Sequence, residues 1–187
     1  MTPGMFDTLV AALWPGGDSP ARPQVFAVVD GARDARVTPM LRATGLEHAC
    51  LFAGALAPAL QAAAPWLVRL SPQARLTREL FEAGWQDHWF VLARARADVT
   101  LPQLKRHLRT LLRVRDESGR VLMFRFYDPR VLRVYLPTCT ASEADAVFGP
   151  IAELLCAGAD PLAMETFCRS RVGVATGTRT LADAAVS

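Results

Sequence analysis

The pattern of apolar positions in the first half of the chain predicts alternating helices and strands, because apolar residues occur there either at helical intervals or in short continuous runs. Residues 3–14 place apolar side chains at helical intervals. Further along, apolar residues form short continuous runs, which are typical of strands buried on both faces. These runs predict strands at 25–29, 48–52, 66–70 and 88–93, with helices at 34–44, 56–64 and 71–84, the last capped by Ser71.

Three local motifs predict where later helices begin. Two are capping boxes, in which a Thr and an acidic or amide residue three positions later satisfy free N–H groups of the first turn. They are Thr100 with Gln103 and Thr140 with Glu143. The third is Asp128 followed by Pro129: the carboxylate accepts from the first free N–H groups, and proline supplies the helical φ angle.

Residues 112–127 change to a period of two around the polar turn at 116–119, which predicts a β-hairpin. The alternation places Leu122, Phe124 and Phe126 on an apolar inner face. We expect the opposite face to be exposed and to hold a partner, since Arg and Tyr are common interface anchors. Its residues are Arg113, Arg115, Arg125 and Tyr127, extended by Arg130 and Arg133.

Together these elements predict an α/β fold: a mixed sheet with helical crossovers, an appended β-hairpin and a helical C-terminal lobe. We divide the chain into an N-terminal helix and loop at 1–23, a main domain at 24–155 and a variable extension at 156–187. The patterns weaken after residue 151, and the last fifteen or so residues are expected to be frayed.

Composition excludes whole-chain disorder, because 51% of the 187 residues are hydrophobic and a chain of this length can bury a large core. Residues 49–68 carry no charge and are long enough to span a bilayer. Pro58 and Pro65 divide this run into short pieces. We therefore expect a core segment of a soluble protein and no membrane partner.

Scattered cysteines and a lone lysine exclude several kinds of site. The cysteines at 50, 139, 156 and 168 form no C-x-x-C pair, so we expect reduced thiols, a cytoplasmic protein and no zinc ribbon. Lys105 lies outside any Gly-Lys-Ser/Thr loop, which excludes the P-loop hydrolases. Motifs for dinucleotide binding, for a serine nucleophile and for zinc hydrolysis are also missing. We thus expect no cofactor, no metal and no catalytic residue; a hydrolase using His88 would lack a nucleophile.

Charge is concentrated in one stretch. Residues 94–133 hold ten arginines and Lys105 against four acidic residues, so this stretch carries +7 and the rest of the chain −4. Such a surface is typical of docking to an acidic partner, unless its arginines pair with carboxylates of the same chain. A nucleic-acid-binding module that uses residues 94–133 is the alternative, although no nucleic-acid reader motif is present.

The stretch FRFYDPRVLRVYLP at 124–137, followed by FGP at 148–150, resembles the adaptor or effector-chaperone proteins of bacterial type VI secretion (Tap or Tec proteins). VVDGAR at 28–33, LFAG at 51–54 and APWLVRL at 64–70 fit the same pattern in the same order. The resemblance covers about residues 24–155. Within it, Phe124, Phe126, Asp128 and Pro129 are expected to serve as a structural motif.

This resemblance implies a protein that binds and does not catalyse. Such adaptors bind the N-terminal region of a cognate toxic effector in the cytoplasm and deliver it to the VgrG spike protein. They have no catalytic residues to carry over to this chain. The resemblance names the partners, but not the face that holds them.

Overall fold

A seven-stranded sheet forms the centre of the protein, as seen in a computed structural model that describes residues 1–15, 22–116 and 118–181. Its strands are β1 (Gln24–Asp30), β2 (His48–Cys50), β3 (Pro65–Arg69), β4 (Phe90–Ala95), β7 (Ile151–Ala157), β8 (Ala163–Ser170) and β9 (Gly173–Thr180). A separate two-stranded hairpin consists of β5 (Arg113–Arg115) and β6 (Val121–Met123). The strand order in the large sheet is β2-β3-β1-β4-β7-β8-β9.

Helices pack on both faces of this sheet. They are α1 (Pro3–Leu13), α2 (Val37–Arg42), α3 (Pro58–Ala62), α4 (Arg75–Gly84), α5 (Leu101–Leu111), α6 (Pro129–Tyr135) and α7 (Ala141–Phe148). Side chains of α1, α2 and α4 belong to one hydrophobic core, and those of α5, α6 and α7 belong to the other. The protein is therefore built in three layers, with the sheet in the middle.

Strand β1 illustrates why a continuous apolar run forms the centre of such a sheet. Val25, Ala27 and Val29 point into the core with α1 and α4, while Phe26 and Val28 point into the core with α5. Successive side chains of a strand face opposite sides, so a strand covered on both faces needs apolar residues at every position. The four strands predicted in the first half are confirmed.

Helical crossovers connect strands that run in the same direction, as predicted. Helix α2 links β1 to β2 past β3, and α4 links β3 to β4 past β1. In each case an antiparallel strand lies between the two, so all neighbouring strands of the large sheet are antiparallel. The predicted α/β class is confirmed, but parallel and antiparallel neighbours are not mixed.

The predicted helical C-terminal lobe is wrong. After α7 the chain adds β7, β8 and β9 to the sheet, and the division expected at 155/156 falls inside β7. The expected fraying is wrong as far as residue 181, because β9 pairs with β8 along 173–180 and Leu181 is fully buried. Residues 182–187 lie outside the described part of the chain.

Helix starts follow the predicted caps with one exception. Both capping boxes are formed, and the Asp128 side chain accepts from the backbone N–H of Arg130. Helix α4 does not begin at Ser71, however, but after Ala74. The Ser71 carbonyl instead accepts from the Thr77 hydroxyl at 2.7 Å, which holds the chain in a turn before the helix.

The uncharged stretch at 49–68 contributes short elements to the domain: the end of β2, helix α3 and most of β3. None of the helices in the described residues is both long and apolar enough to cross a membrane.

Candidate partner-binding surface

Two segments that are distant in the sequence, from the motifs at 28–33 and 124–137, meet beside the sheet; we call them the motif segments. The first begins at the last residue of β1: Asp30 donates its backbone N–H to the Trp89 carbonyl at 2.8 Å, and Gly31 donates to the Ala64 carbonyl at 3.0 Å. The second is the loop before α6, which contains Arg125 and Asp128. Glycine is required at position 31, because a Cβ atom there would lie 2.3 Å from the Ala62 carbonyl oxygen.

Two ion pairs join these segments, and two more form within them. Asp30 binds Arg125, and Asp128 binds Arg33 with 2.8 Å between Oδ2 and Nη2. Asp128 also accepts two hydrogen bonds from Arg130, at 3.0 Å from Nε and 2.8 Å from Nη2. A longer contact of 3.8 Å joins Arg33 to Asp30. Part of the basic charge expected to face a partner is thus neutralised inside the protein.

The arginines keep Asp128 ionised although its side chain is only 4% exposed. Burial alone would raise its pKa, but the hydrogen bonds from Arg130 and the charge of Arg33 outweigh burial and lower the pKa. In the same way, the hydrogen bond to Asp30 raises the pKa of Arg125. These groups therefore remain charged at neutral pH and hold the segments together.

Arg125 and Arg130 are half-exposed, with side chains 45% and 53% accessible. Both lie within three positions of Asp128 in the sequence, but only Arg130 pairs with it, and Arg125 reaches Asp30. Each presents part of its guanidinium to solvent while another part is held by a buried carboxylate. Buried carboxylates therefore fix both side chains, and only part of each guanidinium is free to contact a partner.

Tyr127 and Arg133, which were expected on the exposed face, are not exposed. Tyr127 is 4% accessible and lies edge-on against Phe126. Arg133 donates to the Ala157 carbonyl at 2.5 Å and pairs with Glu165 at 3.7 Å. The alternation that placed Tyr127 outside does not reach that far, because β6 ends at Met123 and the chain turns toward α6.

The hairpin itself exposes Arg113 and Arg115, as predicted. Arg113 lies opposite Met123 and Arg115 opposite Val121, so these four side chains share one face. Arg115 donates to the Gly119 carbonyl at 3.2 Å, within the turn. This face combines positive charge with apolar surface.

The expected inner face of the hairpin is buried only at its base. Phe126 is 1% accessible, Phe124 is half-buried against Tyr135, and Leu122 is 46% exposed. Leu122 was expected to face the core, and that expectation is wrong. The hairpin extends beyond the body of the domain, so neither core covers its outer residues.

His88 is a feature that spacing could not reveal. It has φ +56°, a left-handed backbone conformation that few non-glycine residues adopt. Its Nδ1 atom is buried without a hydrogen-bond partner among the described residues. Burial, followed by the charges of Arg133 and Arg130, lowers the pKa of its ring. His88 thus borders the ion-pair cluster in its neutral form.

Other polar side chains are scattered. The Nε2 atom of His107 lies 2.7 Å from the Val147 carbonyl oxygen, and the four cysteines are free thiols. Within 1–15, 22–116 and 118–181, no three His, Cys, Asp or Glu side chains cluster closely enough to hold a metal ion.

Comparison with known proteins adds one result. No curated protein and no solved structure is significantly similar to this chain. The family model described as a domain of unknown function, DUF4123, matches residues 25–146. That range includes both motif segments, the ion-pair cluster and the hairpin. The chain therefore belongs to the DUF4123 family.

Proposed function

We propose that this protein is a non-enzymatic adaptor of bacterial type VI secretion that acts in the cytoplasm. It binds the N-terminal region of a cognate toxic effector and helps load that effector onto the VgrG spike. The proposal rests first on the resemblance of the motifs at 28–33 and 124–137 to adaptor proteins. Its function requires binding surfaces and no reacting group.

One structural observation supports it most directly. The β5–β6 hairpin extends from a well-packed domain and leaves Val114, Val121, Leu122 and Met123 between 39% and 53% exposed beside Arg113. Clustered apolar side chains in water mark a surface that another molecule covers. Arginine next to them is typical of protein–protein interfaces.

The ion pairs disfavour the alternative of nucleic-acid binding. Six of the ten arginines in 94–133 pair with carboxylates of the described chain: Arg94, Arg96, Arg120, Arg125, Arg130 and Arg133. Affinity for nucleic acid depends on the number of phosphates that free cations neutralise. Arginines already held by carboxylates contribute less to that number, and the exposed apolar residues contribute none.

Co-purification tests the proposal. The tagged protein is co-expressed with a candidate toxin effector from the same genome and, separately, with the same toxin lacking its N-terminal region. We expect only the intact toxin to be retained, and VgrG to join the complex when it is added. A toxin that is retained equally without its N-terminal region, or one that reaches VgrG equally well without this protein, would contradict the proposal.

Thermal melting provides an independent measurement. A ligand that binds only the folded state at a hundredfold excess over Kd stabilises that state by about 2.7 kcal/mol. The toxin's N-terminal region should therefore raise the melting temperature of this protein. An unchanged melting temperature at saturating concentration would argue against binding.

A further inference from the structure

A groove of about 480 Å³ lies between the hairpin and the chain that follows β2. Leu51 and Phe52 line it on one side together with Leu60 of α3, and Met123 of β6 lines the other. Leu60 and Met123 are 48% and 50% exposed. The groove is therefore an apolar surface open to water and not a closed cavity.

Positive charge borders this groove. Arg109, in the last turn of α5, and Arg113, the first residue of β5, are both part of its lining. Lys105 and Arg106 continue the charge along α5. None of these four side chains forms an ion pair with a residue in the described ranges, unlike Arg94 and the other paired arginines of this stretch.

We propose that this groove binds an acidic amphipathic helix of a partner protein. Apolar side chains at positions i, i+3, i+4 and i+7 of that helix would enter the groove, and its carboxylates would pair with Arg109 and Arg113. The inference rests on the proposed function in identifying the helix as part of the effector's N-terminal region. Its chemistry follows from the groove alone.

Charge and geometry select this occupant over others. In a symmetric dimer that paired the groove with itself, Arg109 and Arg113 of both copies would meet, and like charges repel. The sheet edge on this side is β2, whose three residues offer few free backbone groups to an added strand. The phosphate backbone of a nucleic acid is polar and would not cover the apolar side chains of Leu60 and Met123.

A designed peptide tests the groove without knowledge of the natural partner. The probe is a fluorescent 18-residue peptide with leucines at the four spaced positions, four glutamates beside them, and alanine and glutamine elsewhere so that it can form a helix. A matched peptide replaces every glutamate by lysine. We expect anisotropy to show that the acidic peptide binds at least about tenfold more tightly, and that added salt weakens its binding.

Two pairs of variants locate the site. Arg109→Glu with Arg113→Glu, and Leu60→Ser with Met123→Ser, should each weaken acidic-peptide binding at least about tenfold. The control for charge is Arg171→Glu with Arg179→Glu, two exposed arginines of the β8–β9 hairpin. The control for apolar surface is Val134→Ser with Val172→Ser, which are 74% and 89% exposed. Both controls should bind like the unmodified protein, and circular dichroism melting verifies the fold of all four.

Each result decides one question. Absence of peptide binding, equal binding by the groove variants, or equal loss in a control would overturn the groove site. So would a dimer that the Leu60 and Met123 variant converts to a monomer, or displacement of the peptide by DNA. If the unmodified protein does not retain the effector, the proposed function is wrong. The peptide assay still tests whether the groove binds an acidic amphipathic helix. If the effector binds but the groove variants retain it fully, the function stands and the effector docks elsewhere.

Discussion

Arg33 and Asp128 are 95 positions apart in the sequence, yet the Nη2 atom of Arg33 lies 2.8 Å from Oδ2 of Asp128. The same separation relates Asp30 to Arg125, which form the second pair. Each motif segment thus contributes one acid and one arginine, and the charges pair crosswise. Because the crossed pairs constrain both distance and direction, they fix the end of β1 against the start of α6.

Asp128 is the residue of this cluster whose charge should matter most for folding. We expect Asp128→Asn to lower the free energy of unfolding at pH 7 by about 1.5–3 kcal/mol, the usual contribution of hydrogen bonds to a charged group. Asparagine can still cap α6, so this loss reports the charge and not the cap. Urea unfolding followed by circular dichroism measures it.

The pH dependence of that loss has a definite sign. The pKa of Asp128 is lowered in the folded protein, so its contribution is complete above the ordinary value of 3.8 and disappears as pH falls through the folded value. The difference between the variant and the unmodified protein should therefore shrink below about pH 4. Asp98→Asn, at an exposed carboxylate paired with Arg96, is the matched control and should change stability little. A difference that stays constant down to pH 3 would show that Asp128 does not act through its charge.

His88 should make the protein less stable in mild acid. Its pKa is lowered from 6.5 in the folded state, so the unfolded chain takes up the proton first as pH falls below about 6.5. We expect stability to decrease between pH 7.5 and pH 5.5, and to decrease less in His88→Asn. Asparagine suits this replacement because it tolerates the positive φ angle. Parallel stability curves for the two proteins would rule out His88 as the titrating group.

Local signals predicted much of this fold. The apolar run at 25–29 indicated a strand buried on both faces, and the motifs at Thr100, Asp128 and Thr140 marked three helix starts. These signals depend on residues within a few positions of each other. Chain direction and strand order are set by distant packing, so the entirely antiparallel pairing could not be predicted.

The C-terminal strands and the ion-pair cluster were missed for two different reasons. Strand β9 reads GVATGTRT, with small and polar residues that suit an exposed edge and give little apolar periodicity. The pairing of Asp30 with Arg125 depends on contact across the fold, which the spacing of charges in one sequence does not reveal. For the same reason, half-exposed Arg125 and the more enclosed Arg133 could not be told apart from the sequence.

Gly31 should tolerate no side chain. The Cβ of Gly31→Ala would meet the carbonyl oxygens of Ala62 and Ala64 at 2.3 and 2.5 Å, and backbone atoms cannot move aside cheaply. We expect a loss of about 1–3 kcal/mol, the usual cost of overpacking. Gly45→Ala is the control, because nothing lies within 4 Å of its Cβ position, and it should be nearly neutral. Equal unfolding midpoints for the two variants would contradict this role of Gly31.

The two phenylalanines of the motif should differ in their contribution to stability. Phe126 is fully buried, so Phe126→Ala should cost about 3–5 kcal/mol. Phe124 is only partly buried beside Tyr135, and Phe124→Ala should cost less, about 1–2 kcal/mol, because less apolar area is lost from the core. Chemical denaturation of both variants under one condition provides the comparison. A Phe124 variant that is the less stable of the two would mean that the base of the hairpin is packed more tightly than the structure indicates.

Reversing charge at two pairs of arginines should separate binding from folding. Arg113 and Arg115 are exposed and touch no carboxylate of the described chain, so changing both to Glu should leave the melting temperature nearly unchanged. It should weaken retention of the effector's N-terminal region at least about tenfold, or roughly 1.4 kcal/mol.

Changing Arg125 and Arg130 to Glu makes the same change in net charge but places new carboxylates against the buried Asp30 and Asp128. That variant should lose about 3 kcal/mol or more of stability, because a buried charge is left without its partner. Circular dichroism melting and co-purification of both variants decide the matter: if the Arg113 and Arg115 variant unfolds, or if it binds normally, the exposed hairpin is not where the partner is held.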